Sequence, residues 1–497
     1  MRLRDLTAAL ADRALPFETR GDDAVDISGV THRSSDVTDG SLFAAIPGSR
    51  VDGHDLVDQV VAFGAAAVVV ERPLDTDVAQ VIVPSTRMAL GPMTARFHGD
   101  PSHDLVVIGV TGTNGKTTTV AMLRAVFAAA GRRTEMLGTL TSAVGGPPTT
   151  PDAPDLQAQL ARWRDEGVEV VAMEVSSHAL AMGRVDGTRF AMAGFTTLGH
   201  DHLDHHGDLE HYFAAKARLF RPDLSAHAVI RGDDAWGAPL AAETTIPVRT
   251  FSLADAAPIE ATPTGVRFSW RGTSVDLPLV GDHNVANALC AASIASWLDV
   301  DDEAIAVGLG GVGIIDGRFE LVDGGQSFTV AVDYAHTPDA LATVLVAARG
   351  RAEAAGGKVI VVFGCGGNKD RAKRPEMGRI AAESADVVVV TSDNPRSENP
   401  SAIIDEILAG VGAVDNVAAI VDRRDAIHHA VAVAENDDVV HAILLVNFMQ
   451  HLMFHILQLA FLVLQNCVQL SLLKTLFLHL QCIFYVLLSY AFIISPD

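Results

Sequence analysis

A chain of 497 residues exceeds one ordinary hydrophobic core, and at roughly 100 to 200 residues per domain it is expected to fold as about three units. Its 61 acidic residues outweigh 37 basic ones, and a formal charge of −24 has the wrong sign for a nucleic-acid binder, so any phosphate site must be built locally. Cys290, Cys365, Cys467 and Cys482 lie far apart without metal-ligand spacing, which argues against a disulfide framework or a zinc site and fits a reducing cytoplasm.

The first residues include acidic side chains and lack the continuous apolar core of a secretory signal, so no export is expected. Up to about residue 438, short β-branched runs alternate with amphipathic stretches, the pattern of an α/β protein. A buried strand expected over 105–110 runs into Thr111-Gly112-Thr113-Asn114-Gly115-Lys116-Thr117-Thr118-Thr119, ahead of a helical stretch to about residue 130. In such a strand, loop and helix, glycines let backbone N–H groups close around phosphate oxygens, the lysine reaches the terminal phosphates, and a hydroxyl such as that of Thr117 can ligate Mg2+. The strict Walker pattern wants Gly where Val110 stands, so a plain Gly-rich turn is the competing reading.

An apolar strand expected at 168–173 delivers Glu174 at its C-terminal end, the edge of a parallel sheet where ligands bind. Taken alone, a Glu there is more often a solvated surface residue than a metal ligand. Residues 199–207 pack four histidines, including His202, and two aspartates, yet their spacing fits no zinc signature. Lys216 lies in a helical pattern where a lone lysine ordinarily reads as a solvated charge. Gly281-Asp282-His283-Asn284 reads as a helix N-terminus with polar caps. Asp393-Asn394-Pro395-Arg396, after an apolar strand at 387–390, would by itself be a turn with an exposed arginine.

From about residue 441 the composition changes: Asp and Glu vanish until Asp497, and Lys474 is the only Lys or Arg. Residues 476–494 reach the roughly 20 needed to cross a bilayer, with 456–473 a poorer candidate, so the tail reads literally as a membrane hairpin. The competing reading, a frameshift or assembly junction that replaced the natural C-terminus, is favoured, because nothing earlier has membrane-protein composition.

The string from Gly109 to Thr118 resembles the ATP loop of the Mur ligases and their folylpolyglutamate synthase relatives, and the resemblance runs over about residues 1–440. It implies a three-domain α/β protein: a Rossmann-like, UDP-sugar-binding domain at 1–100, a central P-loop ATPase-like domain at 101–317 and a Rossmann-like amino-acid-binding domain at 318–440, followed by the anomalous apolar tail 441–497. In the family the residues matching Gly112, Thr113, Asn114, Gly115, Lys116, Thr117, Thr118, His283, Asn284, Arg318 and Asp333 bind ATP. The same resemblance makes Glu174 and Thr117 Mg2+ ligands, puts His202 near that ion, and makes Lys216 the lysine that CO2 converts into a metal-binding carbamate. Lys116, Lys216, Glu174 and His202 are thus the expected catalytic set.

Similarity to the UDP-substrate positions singles out Ser34, Ser49, Arg50, Val51, Thr149, Thr150, Ser176 and Arg184, with Arg33 and Ser35 flanking Ser34 where the family carries Asp and Arg. The Asp-Asn-Pro-Arg string resembles the branch that adds meso-diaminopimelate, so Lys369, Asp393, Asn394, Pro395 and Arg396 are expected to hold that amino acid, Arg396 gripping its distal carboxylate as a fork. The family's Gly-Lys-Gly-His-Glu segment is not found after residue 440. The resemblance implies a cytoplasmic, monomeric ligase using ATP and Mg2+ on UDP-N-acetylmuramoyl-L-alanyl-D-glutamate and meso-diaminopimelate, without nucleic acid, and meeting a membrane only if the tail is genuine. The alternatives are a nucleotide-binding remnant without turnover, an L-lysine-adding equivalent, a membrane-tethered ligase and a folylpolyglutamate synthase.

Overall fold

The computed structural model describes residues 1–48, 51–141, 148–262, 264–412 and 416–443. The apolar tail expected from 441 falls, after 443, outside the described residues. Two compact units are present: one of Met1–Arg318 with 337–347 and 368–377, the other of 319–336, 348–367 and the chain from 378.

The first unit opens with a five-stranded sheet built from β1 (Glu18–Arg20), β2 (Gly29–Thr31), β3 (Ser41–Ala44), β4 (Ala67–Val70) and β5 (Ala79–Ile82), in the order β1-β5-β4-β3-β2. Only β1 runs antiparallel to its neighbour.

A parallel six-stranded sheet follows, formed by β6 (Val106–Thr111), β7 (Thr134–Leu137), β8 (Val170–Glu174), β9 (Met192–Phe195), β10 (Ala228–Arg231) and β11 (Val248–Phe251) in the order β11-β10-β9-β6-β8-β7. Its inner strands are apolar almost throughout because helices cover both faces. Val120, Leu123 and Phe127 of the helix Lys116–Ala129 pack with Val285, Leu289 and Ile294 of the helix Asp282–Trp297 against Ile108 and Val170. On the other face Leu156 and Leu160 of the helix Ala153–Asp165 join Val107, Val171 and Phe190. The expected strands at 105–110 and 168–173 are displaced by one or two residues, and both end at the same sheet edge. A small antiparallel sheet, β12 (Glu260–Thr262), β13 (Gly265–Trp270) and β14 (Thr273–Leu277), contributes Phe268 and Trp270 to the first of these cores.

The second unit is a six-stranded sheet of β15 (Glu320–Val322), β16 (Thr329–Asp333), β17 (Val359–Phe363), β18 (Val387–Thr391), β19 (Val417–Ile420) and β20 (Val439–Ile443), ordered β15-β16-β20-β17-β18-β19. All neighbours are parallel except β15 and β16. No helix among the described residues is long and apolar enough to cross a membrane.

Candidate active site

The phosphate loop forms where the chain leaves β6. Gly112 and Gly115 take φ of 152° and 86°. A Cβ at Gly112 would stand 1.9 Å from Thr196 Oγ1, and one at Gly115 2.2 Å from Asn287 Oδ1, so space as well as backbone conformation demands glycine. Gly115 leads into the helix Lys116–Ala129 and puts Lys116, Thr117 and Thr118 in its first turn, where unpaired N–H groups favour an anion. Lys116 Nζ donates to Gly112 O and Thr113 O, both at 2.8 Å. Asn114 O accepts from Thr196 Oγ1 at 2.6 Å. Burial lowers the Lys116 amine from its ordinary value, with Glu174 and Asp201 opposing.

Glu174 ends β8 and is 2% exposed; its Oε1 accepts from Thr117 Oγ1 at 3.0 Å and from Thr139 N at 2.7 Å. Arg318 Nη2 also donates to Thr117 Oγ1, at 3.0 Å. Thr150 Oγ1 donates to Glu174 O at 2.9 Å and accepts from Ser176 N at 3.0 Å. Ser176 Oγ caps the helix Ser177–Ala181 by accepting from Ala179 N. Arg184 Nη1 donates to Thr150 O at 3.2 Å, and Thr149 Oγ1 lies 3.5 Å from Thr139 Oγ1. One connected set of contacts therefore joins Thr117, Glu174, Thr149, Thr150, Ser176, Arg184 and Arg318, residues expected separately for nucleotide and UDP-substrate.

Lys216, on the helix Leu209–Ala217, is 1% exposed rather than solvated. Its Nζ donates to Gly112 O at 2.8 Å and sits 4.5 Å over the Tyr212 ring. Burial, and then neighbouring Lys116, hold this amine well below its ordinary value. The histidine-rich segment lies nearby: His202, at φ 56°, starts the short helix Leu203–His206, and its Nε2 is 3.2 Å from Asp201 Oδ2. His178 stacks on His205 at 4.2 Å and meets His202 edge-on at 4.7 Å. Burial and the adjoining imidazoles push His178 and His206 down to about 4, so both are neutral at neutral pH.

Burial likewise lowers His283 to about 4. Asn284 Nδ2 donates to Val280 O at 2.8 Å, closing the turn before the helix Asp282–Trp297. In the second unit, Asp333 accepts from Phe319 N and Ala335 N, both at 2.7 Å. Ser34 opens the turn Ser34–Asp36, and Val51, 54% exposed, lies beside the bridge between Pro47 and Asp52. Ser49 and Arg50 lie outside the described residues. Lys369 belongs to the first unit, whereas Asp393, Asn394, Pro395 and Arg396 leave β18 in the second.

Sequence reasoning missed Asp152 and Asp155. Asp152 meets Arg184 Nε at 2.9 Å, an ion pair off the line of the N–H, and both His32 and Arg33 at 3.5 Å. Arg33 forks onto Asp155, with Nη1 at 3.2 Å from Oδ1. The hydrogen bond from His32, followed by Arg184 and Arg33, holds Asp152 below the usual carboxylate range. His54 was also missed: its Nδ1 is 2.7 Å from Asp52 Oδ1, and its Nε2 accepts from Glu71 N at 2.8 Å. Only the two-residue spacing of Asp52 and His54 was visible locally.

The Thr117 hydroxyl and Glu174 carboxylate are hard oxygen donors already 3.0 Å apart. They fit Mg2+, which retains water and phosphate oxygens and needs only one or two protein ligands. Among the described residues no group of three or more His, Cys, Asp or Glu forms a cage for another metal.

A phosphate loop on a parallel sheet, with its lysine and a hydroxyl–carboxylate pair at one strand edge, defines a nucleoside-triphosphate-using enzyme core. Three family profiles match in succession: Mur ligase family, catalytic domain, at 26–98; Mur ligase middle domain at 110–295; and Mur ligase, glutamate ligase domain, at 317–443. The UDP-N-acetylmuramoyl-L-alanyl-D-glutamate–2,6-diaminopimelate ligase of Bacillus licheniformis is 42% identical over 84% of this chain and 90% of its own, and that of Gloeobacter violaceus 44% identical over 88% and 92%. A solved structure of a ligase with the same description aligns with a TM-score of 0.64 at 30% identity, over 89% of this chain and 93% of its own. The chain belongs to the Mur ligase family and has its three-domain α/β fold.

Proposed function

We propose that the chain is an ATP-dependent amide ligase that joins meso-diaminopimelate to the D-glutamyl carboxylate of UDP-N-acetylmuramoyl-L-alanyl-D-glutamate in the cytoplasm. The observation that carries the reading is Thr117 bound at once to buried Glu174 and to Arg318 beneath the phosphate loop. Phosphoryl transfer from ATP to the γ-carboxylate gives an acyl phosphate; the amino-acid amine attacks it, and the tetrahedral intermediate collapses to amide and phosphate. Lys116, released from the loop carbonyls, and Arg318 balance the phosphate charge that builds in both steps. The loop N–H groups orient the transferred group. Thr117 and Glu174 would hold Mg2+, which supplies positive charge at the phosphates when bound. Lys216 would carry the carbamate as a further oxygen donor: burial disfavours the charged form of its amine, and the uncharged amine is the form that adds CO2. The domains at 1–100, 101–317 and 318–440 serve UDP-substrate, ATP and amino acid in turn, within a monomer.

The test is ADP and tripeptide formation from UDP-muramoyl-dipeptide with meso-diaminopimelate or L-lysine. The expected outcome is a kcat/KM at least about tenfold higher for meso-diaminopimelate, since a hydrogen bond between its distal carboxylate and the exposed Arg396 is worth on the order of 1.5–3 kcal/mol, and loss of that preference in Arg396→Ala. Equal use of both amino acids contradicts the substrate assignment. A second reading, a nucleotide-binding remnant with an impaired amino-acid domain, is favoured by one observation: His441, where the composition changes, is fully buried in the centre of the last described strand with both ring nitrogens unbonded among the described residues, a poor fit for the middle of a sheet. ADP binding without any tripeptide would select it.

A further inference from the structure

Residues 393–396, separated from β18 by Ser392, form a loop whose shape is held from two sides. A Cβ on Gly367 would stand 1.9 Å from Pro395 O, and Gly367 N donates to Asn394 O at 2.7 Å, so one flank is backbone against backbone. Arg396 takes φ 51°, a left-handed conformation that a non-glycine residue keeps only when its surroundings impose it. On the other flank stands Arg423, first residue of the helix Arg423–Val433, whose N-terminus Asp422 caps by accepting from Asp425 N. Its Nε donates to Ser392 O at 2.8 Å, its Nη1 to Ile443 O at 3.3 Å, and its Nη2 lies 3.2 Å from Asp393 Oδ1 as an ion pair not aligned as a hydrogen bond. The Asp393 side chain is 3% exposed and that of Arg423 20%. A single planar group thus ties the ends of β18 and β20 together and fixes the start of the loop.

We propose that Arg423 is a positioning residue for the loop 393–396 and, through it, for the choice of amino acid. This rests on the reading above that the loop takes the diamino acid. Arg396 can fork onto a distal carboxylate only where the loop holds it within about half an ångström of the bound geometry. An amino acid lacking that carboxylate does not use Arg396 and is indifferent to its placement. Loss of Arg423 therefore weakens the substrate with the extra carboxylate selectively, whereas general damage to the fold weakens all ligands together.

The experiment is calorimetric titration of the full chain, held with a non-hydrolysable ATP analogue and UDP-muramoyl-dipeptide, with meso-diaminopimelate, using L-lysine as competitor. Arg423→Ala is expected to raise the meso-diaminopimelate Kd about tenfold while shifting the ATP-analogue Kd less than about twofold, and to shrink the preference over L-lysine by the same factor. Arg423→Lys keeps the charge but cannot span all three acceptors, and is expected to lie between Arg423→Ala and the unsubstituted chain. An unchanged Kd in both variants, or equal weakening of amino acid and nucleotide, overturns the proposal. If Arg423→Ala melts out, Arg423→Lys alone decides, by whether its loss is selective. Arg396→Ala separates the two claims. If it leaves meso-diaminopimelate binding intact, or the unsubstituted chain does not bind that amino acid, the reading of the loop fails. If it weakens binding while the Arg423 variants do not, the positioning role alone fails.

Discussion

Lys116 is the residue on which phosphate chemistry depends most directly. Its amine bridges two carbonyls of its own loop, so its removal takes charge from the site without removing a support of the fold's core. Lys116→Ala is expected to lower ATP turnover by at least about 1,000-fold, consistent with the several kcal/mol that a single preorganised charge supplies, while the thermal midpoint moves by a few degrees at most. Phosphate release and a melting curve on the same preparation check both halves; undiminished turnover removes the lysine from the mechanism. Lys216 differs in kind, since its helix is short and its burial depends on Tyr212, Gly112 and the loop above it.

At the scale of elements, β20 is the most unusual strand. It lies between β16 and β17, where His441 stands in register with Ala331 and Val361, 0% exposed, its ring edge-on to Phe319 at 4.9 Å. Burial pushes this imidazole down to about 3 from an ordinary 6.5. Between those values the unfolded chain holds a proton that the folded one does not, so stability is lost as pH falls through 6.5. His441→Leu is expected to stabilise by about 1–3 kcal/mol at pH 8, the cost of unbonded buried polar atoms, and by about 2 kcal/mol more at pH 5. Denaturant midpoints at the two pH values test this; a gain that does not grow at pH 5 contradicts it. The strand–loop–helix around Lys116 and the strand leading to Glu174 were legible because period and glycine spacing are local signals. The burial of Lys216 was not legible in the periodicity of its own helix, since it is produced by Gly112, 104 residues away. Asp152 and Arg423 escaped for the same reason: each is defined by partners such as His32 or Asp393 that only the folded sheet edges bring near.

The whole molecule carries a formal charge of −24 and yet must admit substrates that are themselves anionic. The long-range field opposes their approach, and the phosphate loop acts only within a few ångströms. Raising ionic strength from about 10 to 100 mM shortens the screening length from roughly 30 to 10 Å and is expected to speed nucleotide association about two- to fivefold. Stopped-flow binding of a fluorescent ATP analogue measures this, and a falling rate would show that the local positive end of the helix governs capture instead. One peptide oxygen, that of Gly112, receives both Lys116 and Lys216 at 2.8 Å. Two amines leaning on a single acceptor are thermodynamically linked. Conversion of the Lys216 amine to a carbamate would remove that rival and add an oxygen donor for the nucleotide's Mg2+, so dissolved CO2 and magnesium nucleotide should each tighten the other's hold by one common factor. Bicarbonate added to CO2-free buffer is therefore expected to lower the Kd of the magnesium ATP analogue about five- to tenfold, and to leave it unchanged in Lys216→Ala, making the enzyme's grip on its energy source a function of dissolved inorganic carbon.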